Sequence, residues 1–147
     1  MIVPFDDLKA LRKTVALVDG AFDPLHRGHI EYFRQARALG QPLLCRIASD
    51  EYVRTKHEVF LPAAERAHVI DALRYIDYTH VSSADIVSVL RELQPTHFIK
   101  GKDWEGRLPT ADIEACREFD IEIVFLDTVL GSSTGILRRY QSLLTTD

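Results

Sequence analysis

From residue 14 to residue 144, apolar runs of strand length alternate with helical patterns, and no other feature constrains the fold as strongly. "TVALVDG" (14–20), "PLLCRIASD" (42–50), "YTHVSS" (78–83), "HFIKG" (97–101) and "IEIVFLD" (121–127) read as strands. Helical patterns fill 29–40, 62–76, 84–94 and 111–119, and a last one runs near 133–144. Gly40 suits the residue after a helix end, and Pro62 suits a first turn. Strand–helix–strand units pair their strands in parallel, and helices then cover both faces. Right-handed crossovers make a doubly wound, Rossmann-like α/β sheet the expected architecture. In such sheets the ligand sits beyond the carboxyl ends of the strands. Residues 14–144 read as the core of one domain, with 1–13 as an N-terminal extension.

Composition narrows the function. A chain of 147 residues can bury one sizeable core. Its formal net charge of −4 opposes general binding to nucleic acid, whose backbone selects basic surfaces. No apolar run approaches the ~20 residues of a membrane span. The first residues, "MIVPFDDLKALRKT", lack the basic-then-apolar order of a signal peptide. Cys45 and Cys116 lie far apart and read as free thiols of a reducing cytoplasm.

The stretch "GAFDPLHRGH" (20–29) leaves the first strand and enters the first helix. Unpaired backbone N–H groups and the positive end of the dipole make a helix N-terminus an anion site. Gly28, between His26 and His29, lets a phosphate approach the backbone. Two imidazoles, neutral or protonated, can donate hydrogen bonds to phosphate oxygens. Zinc is disfavoured there, because no third ligand lies nearby in sequence. No residue is therefore assigned to a metal.

These residues resemble the G-x-F-D-x-x-H-x-G-H signature of the cytidylyltransferase-like nucleotidyltransferases, and the resemblance runs from about Val15 to Leu137. It implies one nucleotidyltransferase domain over 1–147. It also implies an enzyme that joins a nucleoside triphosphate to a phosphorylated polyol or sugar and releases pyrophosphate. His26, His29 and Lys56 would then be catalytic. Gly20, Ala21, Phe22, Asp23 and Gly28 would hold the nucleotide at the first motif. Asp50, in "ASDEYV", matches the S-x-D of the family. Arg66 and Arg74 match positions implied to bind the phosphorylated acceptor. "KGKDWEG" (100–106) resembles a base-reading loop and brings in Gly101, Asp103 and Trp104. "GSSTGIL" (131–137) resembles the start of the last helix and brings in Ser133 and Thr134.

Two positions depart from the cytidylyltransferase pattern. Thr128 stands where those enzymes carry an arginine, and Gly135 where they carry a lysine. The "DWEG" stretch favours CTP, so transfer of CMP is the leading expectation. The missing arginine permits ATP, as in the ADP-heptose type, and that is the alternative. A sensor that binds a nucleotide without turnover is the reading from another class. Magnesium is expected to be bound mainly through the triphosphate. The resemblance further implies a homodimer.

Overall fold

The computed structural model describes residues 1–128 and 132–145. Five parallel strands form one sheet in the order β3-β2-β1-β4-β5. They are β1 (Ala16–Gly20), β2 (Leu43–Ile47), β3 (Tyr78–Val81), β4 (His97–Gly101) and β5 (Glu122–Leu126). The helices are α1 (Arg27–Arg37), α2 (Asp50–Arg54), α3 (Ala63–Asp71), α4 (Ile86–Leu93), α5 (Thr110–Glu118) and α6 (Ser133–Leu144). The order reverses between β1 and β4, which opens a crevice at their carboxyl ends. The expected doubly wound sheet is the observed one.

Alternation along each strand separates two apolar layers. Ala16, Val18, Leu43, Cys45, Ile47 and Ile99 face α1 and α3, where Phe33, Ala36, Ala67 and Ile70 close the layer. Leu17, Leu44 and Phe98 face α4 and α5 and meet Val89, Leu90, Leu93 and Cys116. Each fully buried Leu or Phe contributes roughly 1.5–3 kcal/mol of transfer free energy.

Two sequence boundaries shift. The helix expected over 62–76 stops at Asp71, and residues 72–77 form the connection into β3. There the carboxylate of Asp77 accepts the backbone N–H of Leu43, and its own N–H reaches the Leu43 carbonyl. The chain must leave the helix to make that pair of bonds. Residues 1–13, read as an extension, are part of the packed body. Phe5–Leu11 is a 3₁₀ helix with Leu8 fully buried in the second layer, and Ile2 bridges to Thr79 beside β3.

Candidate nucleotide site

At the turn from β1 into α1, His26 is the N-cap of the helix, with extended backbone. Its Nδ1 accepts the N–H of Gly28 at 3.1 Å, while Nδ1 of His29 accepts the N–H of His26 at 3.2 Å. This is a capping box built from two imidazoles in place of Ser/Thr and Glu. An Nδ1 that accepts a hydrogen bond carries no proton, so the proton of each neutral ring lies on Nε2. The rings stack at 3.8 Å between centroids, and Phe22 meets His29 edge-on at 5.0 Å. Burial pushes His29 down to about 3, with His26 adding to the effect, and burial lowers His26 as well. Both rings are therefore neutral near pH 7. At the helix N-terminus the N–H groups of His26 and Gly28 are taken by imidazoles, and those of His29 and Ile30 by the His26 carbonyl. Two of its donors are thus relayed through imidazoles, each ring keeping one Nε2–H.

The rest of the turn serves shape. Phe22 takes a positive φ of 53° and is 4% exposed. Its ring lies over Gly20, where a Cβ would come within 2.8 Å of it. Only glycine leaves room for that ring. Asp23 is fully buried, and its two carboxylate oxygens accept the N–H groups of Phe60 and Leu61 at 2.8 Å each. Asp23, expected at the nucleotide, ties the 55–61 loop to the turn. Burying a carboxylate is tolerated because both oxygens are paired.

Arg66 and Arg74, expected at the phosphorylated acceptor, lie in different surroundings. Arg66 belongs to α3 and its guanidinium is fully buried. It donates to the carbonyls of Leu61, Ala21 and Ala48 and to Asp50 at 2.5 Å. Four of its five donors are so used, and through them it braces the turn. Arg74 is exposed in the connection into the amino end of β3, the edge of the sheet opposite the crevice. A helical pattern does not tell which arginine points inward, and this one was broken by the early end of α3.

The remaining expected residues gather at the carboxyl edge. Ser132 caps α6 by accepting the N–H of Gly135. Ser133 donates its hydroxyl to the carbonyl of Pro24 at 2.8 Å, which seats α6 against the first turn. Gly131 lies outside the described residues. A cavity of about 420 Å³ follows, walled by Thr134 and Arg138 on one side and by Lys56 and Phe60 on the other. A second cavity of about 330 Å³ lies across Lys56 and is lined by Tyr52, Lys56, Asp103, Trp104 and Arg107. Lys56 thus borders both. Its ammonium stands 5.0 Å from the Tyr52 ring and 5.6 Å from the Trp104 ring. In the Lys102–Trp104 turn, Asp103 is exposed, and its Oδ1 occupies the place a Cβ on Gly101 would need, 2.6 Å away.

Sequence reasoning missed a row of charge beneath this edge. Asp19, Arg46 and Lys100 stand side by side on β1, β2 and β4, on the face toward α4 and α5. Asp19 binds Arg46 at 2.9 Å and Lys100 at 3.1 Å. Burial acts against its charge, but the two cations together hold its carboxyl below the usual range. The signal was available: "ALVDG", "LLCRI" and "HFIKG" each carry one charge just before the end of an apolar strand. Tyr52 and Arg107 were missed too, and nothing local marks them.

The comparisons with known proteins agree with this geometry. The sequence matches the cytidylyltransferase-like family over residues 17–135. Bifunctional protein HldE of Syntrophotalea carbinolica is 32% identical over 138 residues, which is 88% of this chain and 28% of the relative. FAD synthase of Methanolacinia petrolearia is 42% identical over 77 residues, 52% of each chain. The chain thus spans about a quarter of the first relative and about half of the second. The lipopolysaccharide core biosynthesis protein of Thermoplasma volcanium superposes with a TM-score of 0.67 at 23% identity, over 78% of this chain and 96% of that one. That likeness carries the fold alone. On its signature and on a match that spans most of its length, the chain belongs to the cytidylyltransferase-like family.

Proposed function

We propose that this domain transfers a nucleotidyl group from ATP to a phosphorylated alcohol or sugar and releases pyrophosphate. The observation that carries nucleotidyl transfer is the imidazole capping box. It presents two neutral Nε2–H donors on a rigid turn at the crevice of the sheet. An oxygen of the acceptor phosphate attacks the α-phosphorus, the bond from that phosphorus to the bridging oxygen breaks, and pyrophosphate leaves with the electron pair. His26 and His29 would hold the α-phosphate and stabilise the charge that develops on it, since fixed donors in a partly dehydrated site are already oriented for it. Lys56 and the start of α6 at Thr134 would take the β and γ phosphates.

The expectation of CTP gives way to ATP. The relatives support this: one is by name a synthase of an adenine dinucleotide, and the other resembles the ADP-heptose type. Thr128, in the place of the cytidylyltransferase arginine, is 7% exposed, so the position is filled by a small buried side chain. Asp103, Trp104 and Tyr52 would hold the base, with the Asp103 carboxylate accepting from its exocyclic amine.

A magnesium ion fits here as a companion of the triphosphate. Both oxygens of Asp23 are committed, and among the described residues no three ligating side chains cluster. Phosphate oxygens and water would hold the ion, and when bound it would neutralise triphosphate charge. A cytoplasmic homodimer that binds no nucleic acid belongs to the same reading. No helix among the described residues is long and apolar enough to cross a membrane.

The test is pyrophosphate release from the four nucleoside triphosphates against glycerol phosphate, sugar 1-phosphates and riboflavin phosphate, with magnesium. ATP with one of these acceptors should give the fastest release. Fastest release with CTP would return the assignment to cytidylyl transfer. Tight ATP binding with no release for any acceptor would favour the sensor.

A further inference from the structure

We propose that Lys100 is a positioning residue: pinned from below by Asp19, it fixes the Trp104 indole as a rigid wall for the base, while Lys56 remains free to leave that ring. The proposal rests on the reading that the Tyr52–Trp104 cavity takes the nucleotide. Two ammonium groups approach one indole, Lys100 at 4.5 Å from the ring centroid and Lys56 at 5.6 Å. Both lie within the range in which a cation is attracted to the ring face. They differ in everything else.

Lys100 is 8% exposed and its Nζ is 3.1 Å from Asp19 Oδ2. The sheet register places it there, since Val18 pairs with Ile99 and the next residues are therefore neighbours. Asp19 cannot release it cheaply, because a buried carboxylate that loses a partner is costly. Arg46 holds the other oxygen and also donates to the carbonyl of Ala84, so the row is anchored at its far end. Lys100 therefore has one position, and Trp104 inherits it. Lys56 is exposed and borders the second cavity with Thr134 and Arg138. Its contacts with Tyr52 and Trp104 can be exchanged for phosphate oxygens without uncovering a buried charge. A ligand that draws Lys56 away would meet an indole that stays where Lys100 holds it.

Trp104 is the single tryptophan of the chain, so tryptophan fluorescence reports the surroundings of this one indole. The experiment compares the unmutated protein with Lys100→Met, Lys100→Gln, Lys100→Arg and Asp19→Asn. It measures emission maximum and acrylamide quenching without ligand, then KM for ATP and kcat with a saturating acceptor. Lys100→Met should expose Trp104 to quencher, raise KM for ATP by roughly tenfold as expected for loss of a desolvated cation–π contact, and leave kcat within about threefold. Lys100→Arg should restore both readings. Asp19→Asn, which loosens Lys100 without removing it, should move quenching in the same direction, and Lys100→Gln, which keeps a donor for Asp19 but no charge over the ring, covers the case in which Lys100→Met fails to fold. Unchanged emission and quenching in Lys100→Met overturn the proposal, and so does a raised KM with fluorescence unmoved. If no triphosphate binds even the unmutated protein, the nucleotide reading fails, and the ligand-free quenching still decides the role of Lys100.

Discussion

The turn into α1 and the cavity between Tyr52 and Trp104 share one edge of the sheet and are built in opposite ways. In the turn, the functional atoms are held by neighbours within the same ten-residue stretch: His26 by Gly28, His29 by His26, Phe22 by Gly20 and His29. Phe60 and Leu61 of the 55–61 loop brace it through buried Asp23, and Arg66 braces it from α3. The cavity joins α2 to the turn after β4, and Lys56, Asp103 and Arg107 are exposed. The difference separates two tasks. Stabilising charge in a transition state requires donors that are fixed before the substrate arrives. Admitting and releasing a nucleotide requires groups that can move.

The strongest way to break this contrast is to remove the brace. Arg66→Ala leaves three carbonyls without their partner and the Asp50 carboxylate with only the Ala63 N–H, so it should lower stability by about 3–5 kcal/mol. Urea denaturation checks this. Unchanged stability with a raised KM for acceptor would return Arg66 to ligand binding.

His26→Asn tests the turn itself. Asparagine is also a good N-cap, so the fold should hold, while loss of the Nε2–H donor should raise the barrier by about 2–4 kcal/mol. Full turnover in this variant would remove His26 from the chemistry.

A smaller effect comes from protons. His29 is held at about 3, against 6.5 for an unperturbed ring. Above pH 6.5 folded and unfolded chains are both neutral there, and the full stability is present. Between 6.5 and about 3 the unfolded chain binds a proton that the folded chain refuses, so stability falls with pH. By pH 5 this amounts to at most ~2 kcal/mol. The difference in urea midpoints between pH 7.5 and pH 5 should shrink in His29→Asn. An equal difference in both proteins would place the titration elsewhere.

The cavity predicts the smallest change. ATP should bind at least ~10-fold more tightly than UTP, about 1.4 kcal/mol, because uracil lacks the exocyclic amine. Asp103→Ala should reduce that ratio and leave pyrophosphate affinity nearly unchanged, as calorimetry would show. Equal affinities of the unmutated protein for ATP and UTP would remove base reading from this loop.

The same contrast explains what could be read from sequence. The parallel sheet followed from apolar periodicity, and the turn followed from residues close together in the chain. The bracing role of Arg66 did not follow, since it depends on carbonyls from Ala21 and Ala48 that only the fold brings near. Asp23 and Arg66 lie in family motifs, but a motif does not distinguish a residue that touches ligand from one that holds the residue that does. Arg74 needed the end of α3, which the Asp77–Leu43 bonds determine. Tyr52, Trp104 and Arg107 share a cavity only after β2 and β4 are placed on either side of β1.

Charge stabilisation by this turn requires two neutral imidazoles whose protons are placed by the backbone. Long-range nitrogen–proton correlation spectra of the histidine rings, recorded at pH 7 without nucleotide, test this directly. Both His26 and His29 should be neutral with the proton on Nε2, and ATP should perturb Nε2 while the tautomers persist. A cationic ring in the free protein, or a proton on Nδ1 of either histidine, would contradict the account.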